Sequence, residues 1–311
     1  MVVAGVGGEP RYTHSFTESA TAMADAAARR FGLPDSSIFC LVEKPAPTVS
    51  RCAGRSTREN VDAAFASLAA RARAGDRVFI LLIGHGSGQG ADSRFNLPGP
   101  DLSAADFERL IRRLGSQKVA FVNAASASGD FVPALSGPNR AIITATKTSF
   151  QRNETMFARF FVAAYTGEGA DVDKDGRVSL LEAFDYARRE VRRAYEQENR
   201  LLTENALLDD DGDGKGSAEP QPRGGGGGGA DGAMARTMWL SGGGSVASGT
   251  PSDPRAATLV AQRDSLEALI EALRGRKSTM DSTAYARDIE HLLVELATKT
   301  REIRSLGTAR P

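Results

Sequence analysis

Over residues 1 to about 165 the apolar positions alternate between two periods. Val2–Ala4 make a short apolar run that ends in glycines, and Ser37–Val42, Val78–Ile83, Val119–Val122 and Ala141–Thr144 repeat the signal. The run Val78–Ile83 (VFILLI) has no polar alternation, which suits a strand buried on both faces. Between these runs, Phe16–Phe31, Arg58–Ala74 and Ala105–Leu114 read as helices. Apolar residues fall every third or fourth position, as at Val61, Ala64, Phe65, Leu68 and Ala72, and again at Phe107, Leu110, Ile111 and Leu114. This strand–helix rhythm predicts an α/β fold with a mostly parallel sheet flanked by helices.

Helical spacing returns over Phe157–Tyr165 and over the Arg- and Glu-rich stretch Leu180–Arg200. A Gly-rich loop is predicted over 217–232, with Gly224–Gly229 unbroken, and Met238–Leu240 reads as a last edge strand. A Gly/Ser/Pro linker over 241–254 then separates a domain over 1–240 from a tail over 255–311. In the tail, Leu259, Leu266 and Leu273 recur every seven residues with Leu269 between them. Tyr285, Ile289, Leu292, Leu296, Ile303 and Leu306 continue the pattern after a break at 275–281. A C-terminal helical hairpin with a coiled-coil-like seam is predicted, packed on itself or on the domain, or offered for self-association or to a partner.

Composition narrows the function classes. Hydrophobic residues make up 41% and charged residues 25%, enough for a sizeable core. Lys+Arg and Asp+Glu both number 39, so the basic footprint of a nucleic-acid binder is missing. No run approaches the roughly 18 consecutive apolar residues of a membrane span. No signal-peptide pattern precedes the first strand, which fits a cytoplasmic chain or one trimmed to its mature form. Cys40 and Cys52 fit a disulfide or two buried thiols equally, and neither has a Cys or His neighbour at zinc-ligand spacing.

Two short motifs carry candidate chemistry. Gly84-His85-Gly86-Ser87-Gly88 directly follows the VFILLI strand, and Asn123-Ala124-Ala125-Ser126-Ala127-Ser128-Gly129 directly follows VAFV. In a parallel sheet, ligand and catalytic groups gather at the carboxyl ends of neighbouring strands. His85 and Ser126 are therefore expected on one rim, as base and nucleophile, with Gly86 freeing an N–H for an oxyanion. His85 alone among the three histidines is flanked by glycines at a strand end; His14 and His291 read as structural histidines.

The order VFILLIGHGSG, FNLPGPDLSAADF, VAFVNAASASG and AIITATKTSFQRNE, preceded by VVAGVGGEPRYTH, resembles the legumain-like and caspase-like cysteine peptidases over residues 1 to about 165. The resemblance implies the caspase-haemoglobinase fold and a peptide-binding groove at the strand ends. His85 matches the family's catalytic histidine and Gly86 its oxyanion glycine. Alignment on Ser128-Gly129 places Ser126 where the family has its nucleophilic cysteine. Gly84 stands where the family often has Asp, and Thr13 where it has a specificity arginine, so cleavage after asparagine is not expected. A hydroxyl is far less acidic than a thiol and needs a well-oriented base, with Asp130 the nearest carboxylate in sequence. Two functions follow: a pseudopeptidase that binds a peptide or protein ligand, or a hydrolase in which Ser126 attacks with His85 as base.

A separate motif lies at Asp171-Val172-Asp173-Lys174-Asp175-Gly176-Arg177-Val178-Ser179-Leu180-Leu181-Glu182. It fits the twelve-residue calcium loop of the EF-hand throughout. Asp171, Asp173 and Asp175 stand at positions 1, 3 and 5, Gly176 at the turn, the Arg177 carbonyl at 7, Ser179 at 9 and Glu182 at 12. Asp209, Asp211 and Asp213 begin a second such run, but its position 12 is Pro220. Calcium is the expected cofactor, and such a loop favours a periplasmic or secreted protein.

Overall fold

A seven-stranded sheet forms the centre of the computed structural model, which describes residues 1–45, 51–73, 75–220, 231–240, 254–275 and 280–308. In chain order the strands are β1 (Val2–Ala4), β2 (Cys40–Val42), β3 (Gly54–Arg55), β4 (Arg77–Ile83), β5 (Gly86–Ser87), β6 (Arg94–Phe95), β7 (Leu102–Ser103), β8 (Lys118–Asn123), β9 (Arg140–Thr144) and β10 (Leu207–Asp209). The main sheet runs β3-β2-β1-β4-β8-β9-β10, parallel throughout except for β10 at one edge. Strands β5, β6 and β7 make a small antiparallel sheet beside it.

Successive residues of a strand face opposite sides, so the unbroken apolar run of β4 feeds two cores. Leu81 and Ile83 pack with Val122 and Ile143 on one side, against α1 (Pro10–Arg29), α5 (Phe157–Thr166) and α6 (Leu180–Gln197). Ile80 and Leu82 pack with Phe121 and Ile142 on the other, against α2 (Arg58–Arg71), α3 (Ala104–Arg112) and α4 (Phe131–Leu135). Helix starts follow local chemistry. Thr57 caps α2, Ser103 with Asp106 forms a capping box on α3, and Ser179 with Glu182 forms another on α6.

Three sequence expectations change. Helix α1 begins at Pro10 rather than near Phe16, because proline suits a first helical position, so Tyr12, Thr13 and His14 are helical and not part of a loop. Met238–Leu240 is not a strand. Trp239 makes a single bridge to Ser179, and its ring lies between the guanidiniums of Arg77 at 4.3 Å and Arg177 at 3.8 Å. The edge strand is β10 instead, because Leu207 and Leu208 supply one apolar side chain to each core. The third change concerns the tail. After the short α7 (Ala233–Arg236), the helices α8 (Pro254–Gly275) and α9 (Ser282–Thr308) pack together. Ile270, Leu273 and Ile303 are buried there, whereas Leu269 is 54% exposed. Leu269 is thus the predicted seam residue that turns outward, with Ile270 buried beside it, while Leu259 and Leu266 are half-buried. Arg177 Nη2 reaches Glu267 Oε2 of α8 at 2.7 Å, joining the hairpin to the acidic loop. The six-glycine run lies outside the described residues, as does the linker over 241–253.

Cys40 and Cys52 are disulfide-bonded and buried, closing a loop of sequence separation 12. Closing a loop of this size removes unfolded-state entropy worth about 3 kcal/mol. Reduction, or Cys52→Ser, is expected to lower stability by roughly 2–4 kcal/mol in denaturant titration. An unchanged midpoint under reductant would show that the bond carries no stability.

Candidate active-site rim and acidic loops

Leu82 of β4 pairs in parallel register with Asn123 of β8. His85 and Ser126 each lie three residues beyond that pair, so both emerge at the same rim of the sheet. The approach is at backbone contact. A Cβ on Gly86 would stand 2.2 Å from the Ser126 carbonyl oxygen, and one on Gly84 would stand 3.1 Å from the Phe95 ring and 3.3 Å from Gly5. A side chain at 84 would therefore require the Phe95 ring and the Gly5 backbone to give by a few tenths of an ångström.

Ser126 is 2% exposed, and its Oγ accepts the Gly86 N–H at 3.3 Å. Among the described residues no hydrogen bond joins this hydroxyl to His85. The turn that carries it is fixed from several sides. Ala127 holds a left-handed φ of 52°, a conformation costly for a residue with a Cβ, while its N–H donates to the Gln151 carbonyl at 2.8 Å. Thr146 Oγ1 accepts the N–H groups of Ser128 at 2.8 Å and Gly129 at 3.1 Å. Phe150, in the segment that receives the Ala127 bond, is 70% exposed.

The half-buried imidazole of His85 sits edge-on to Tyr12 at 4.9 Å and Phe16 at 5.1 Å between ring centroids, with the Gly7 backbone close by. The Gly7 N–H in turn donates to Glu43 Oε2 at 3.0 Å, which also accepts the Thr13 hydroxyl at 2.7 Å. Burial pushes the imidazole below the ordinary histidine value, while the nearby Glu154 carboxylate, the Gly7 carbonyl and Glu9 oppose that shift. Desolvation, and then the same Glu154 carboxylate, also push the Tyr12 hydroxyl above its ordinary value. Sequence reading missed Glu154 and Glu43. Glu154 follows β9, the next strand to end on this rim, and that position was its only signal.

Asp130 does not orient the histidine. Its Oδ2 accepts the Gly90 N–H at 2.6 Å and the Ser93 hydroxyl at 3.1 Å, which ties the 88–93 loop to the start of α4. His14 and His291 are surface residues beside Glu18 and Glu295 of their own helices.

The acidic loop lies elsewhere. Asp171, Asp173 and Asp175 offer oxygens within 4.8 Å of one another. Their carboxylates also fold the loop: Asp171 accepts the N–H groups of Asp175 and Gly176 at 3.1 and 3.0 Å, and Asp173 accepts from Asp175 at 3.1 Å. Glu182 is not in that cluster. Its Oε2 accepts from Ser179 N and Oγ at 2.9 and 2.8 Å, and its Oε1 from Val172 N at 2.9 Å. The largely buried Arg177 side chain pairs with Asp175 and Glu267. Burial, then Asp175, Glu182 and Asp171, push Asp173 up to about 6, the mark of a negative cluster that a hard cation would relieve.

Ser179 bridges to Trp239, whose ring stacks on Arg77 at the start of β4. The loop therefore adjoins the edge where the parallel strands begin, about 20 Å from the His85 rim by the rise of a seven-residue strand. No protein-family model matches the chain, and no curated protein matches it either.

Two effects on His85 are separable by NMR titration of its ring protons. The imidazole is expected to titrate below 6.5, and Glu154→Gln should lower the value further by removing the opposing charge. The stability that this depressed value contributes is present above the unfolded histidine value. It is lost as pH falls, because the unfolded chain then binds the proton that the buried ring resists. A value at or above 6.5, or one that rises in Glu154→Gln, contradicts this account of the rim.

Proposed function

We propose that this chain is a caspase-haemoglobinase-type peptidase fold, of the legumain-like kind, that holds an extended peptide at its strand ends without cleaving it. The observation that carries this reading is the Gly86 N–H directed at Ser126 Oγ, with no bond from that hydroxyl to His85. A serine nucleophile needs a base to take its proton during attack. Here the imidazole is packed edge-on to two aromatic rings, while the oxyanion donor is engaged by the hydroxyl itself. Exposed Phe150, next to the same turn, supplies an apolar contact of the sort that anchors a bound peptide side chain.

A second reading, a serine hydrolase, is favoured by Glu154. A carboxylate beside the imidazole supplies the third member that serine chemistry requires, in a form the related cysteine peptidases do not need. Treatment with a fluorophosphonate probe separates the two. The binding protein should remain unlabelled while still capturing members of an extended-peptide library, with affinity reduced about tenfold or more by Phe150→Ala. Labelling that is lost in Ser126→Ala, together with turnover that requires His85, would establish the hydrolase instead.

The 171–182 loop completes the reading as a calcium site that braces the far edge of the sheet. The cation would draw on Asp171, Asp173 and Asp175, the Arg177 carbonyl, Ser179 and Glu182, and it would steady the start of α6 and the Arg177–Glu267 link to the hairpin. The hairpin surface itself is where we place self-association or a protein partner. The buried disulfide fits an oxidising compartment, periplasmic or secreted. Glu182→Gln keeps the capping box of α6 but removes the carboxylate at position 12. Calcium calorimetry should therefore lose one binding event in Glu182→Gln while far-ultraviolet circular dichroism stays unchanged. Identical titrations of the two proteins would remove calcium from this loop.

A further inference from the structure

A second group of carboxylates converges beyond β10. Asp209, Asp211 and Asp231 each offer an oxygen within 4.8 Å of the others. Asp209 is 1% exposed and Asp231 0%, and each commits one oxygen to local structure. Asp209 Oδ1 accepts the Ser136 hydroxyl at 3.2 Å and the Gly212 N–H at 3.3 Å, and Asp231 Oδ1 accepts the Asp210 N–H at 2.9 Å. The remaining oxygen of each, Oδ2, is fully shielded and meets no hydrogen-bond donor among the described residues. Burying a carboxylate oxygen without a partner is costly, and placing two of them around a third carboxylate adds mutual repulsion.

The grouping differs from the calcium-loop pattern that the sequence began at Asp209. Asp213 is not among the converging carboxylates; its Oδ1 accepts the Lys215 N–H at 2.7 Å. The third carboxylate comes instead from Asp231, on the far side of the Gly-rich run. Neighbouring bonds hold that arrival point firmly: Asp210 accepts the N–H groups of Gly232 at 2.8 Å and Ala235 at 2.7 Å, capping α7.

We infer that Asp209, Asp211 and Asp231 form a site for a hard divalent cation that fastens the 231–240 segment to β10 and to the end of α4. Oxygen-only ligands select calcium or magnesium over softer metals, and both carry the charge needed to offset three carboxylates. The ion's role is structural. Beyond α7 the Met238 carbonyl of the same segment accepts the Leu180 N–H at 2.6 Å, so fixing it also fixes the floor on which α6 begins. This inference stands independently of the chemistry at the His85 rim.

The test uses the full chain with Glu182→Gln, which silences the first loop. Calcium chloride and magnesium chloride are titrated separately by calorimetry, and melting temperature is read in EDTA and in each cation. One saturable binding event and a cation-dependent rise in melting temperature are expected. Adding Asp231→Asn should weaken that event at least tenfold and abolish the rise. In EDTA the same substitution should leave the melting temperature equal or higher, because a neutral amide replaces a buried charge. Should Asp231→Asn fail to fold, exposed Asp211→Asn gives the same two readouts. Absence of any binding event in the Glu182→Gln chain, or an event that survives both substitutions, overturns the inference.

Discussion

The parallel pairing of β4 with β8 is the constraint on which the rest of the molecule depends. Both strands are apolar on both faces, and the two cores take alternate residues from each. A slip of one residue would exchange every side chain between the cores, so the register is held tightly. That register sets His85 and Ser126 equally far beyond Leu82 and Asn123. Glycine completes the arrangement, because only a residue without Cβ lets position 86 rest against the Ser126 carbonyl.

The sheet also keeps two kinds of chemistry apart. At one rim stand a hydroxyl, a backbone N–H and an imidazole that burial holds toward its neutral form. At the opposite edge stand carboxylate clusters, the Trp239 sandwich and the docking point of the hairpin. Concentrated negative charge beside His85 would raise its proton affinity, as Glu154 does in part. With the acidic loops on the far side of the strands, that influence is confined to Glu154 and Glu9.

Much of the rim was legible because its determinants are local. A six-residue apolar run, a histidine between glycines and a small-residue turn after the next strand each speak through sequence alone. The roles of Glu154 and Glu43 were not legible. Glu154 lies beside Tyr12 and His85, and Glu43 holds Thr13 and Gly7, because α1, starting at Pro10, carries Tyr12 and Thr13 over the strand ends. Asp130, adjacent in sequence to the serine turn, was misleading: its Oδ2 accepts from the 88–93 loop.

The sequence by itself determined the α/β class, the strands that meet at the rim, the aspartate ladder at 171–175 and the helical tail. These depend on periodicity, caps and turn chemistry within a few residues. Tertiary structure alone decided that LLD and not MWL forms the edge strand, that Trp239 lies between two arginines, and that Asp231 joins Asp209 and Asp211. Each of those outcomes joins side chains far apart along the chain, and packing, not local propensity, chooses which of them meet.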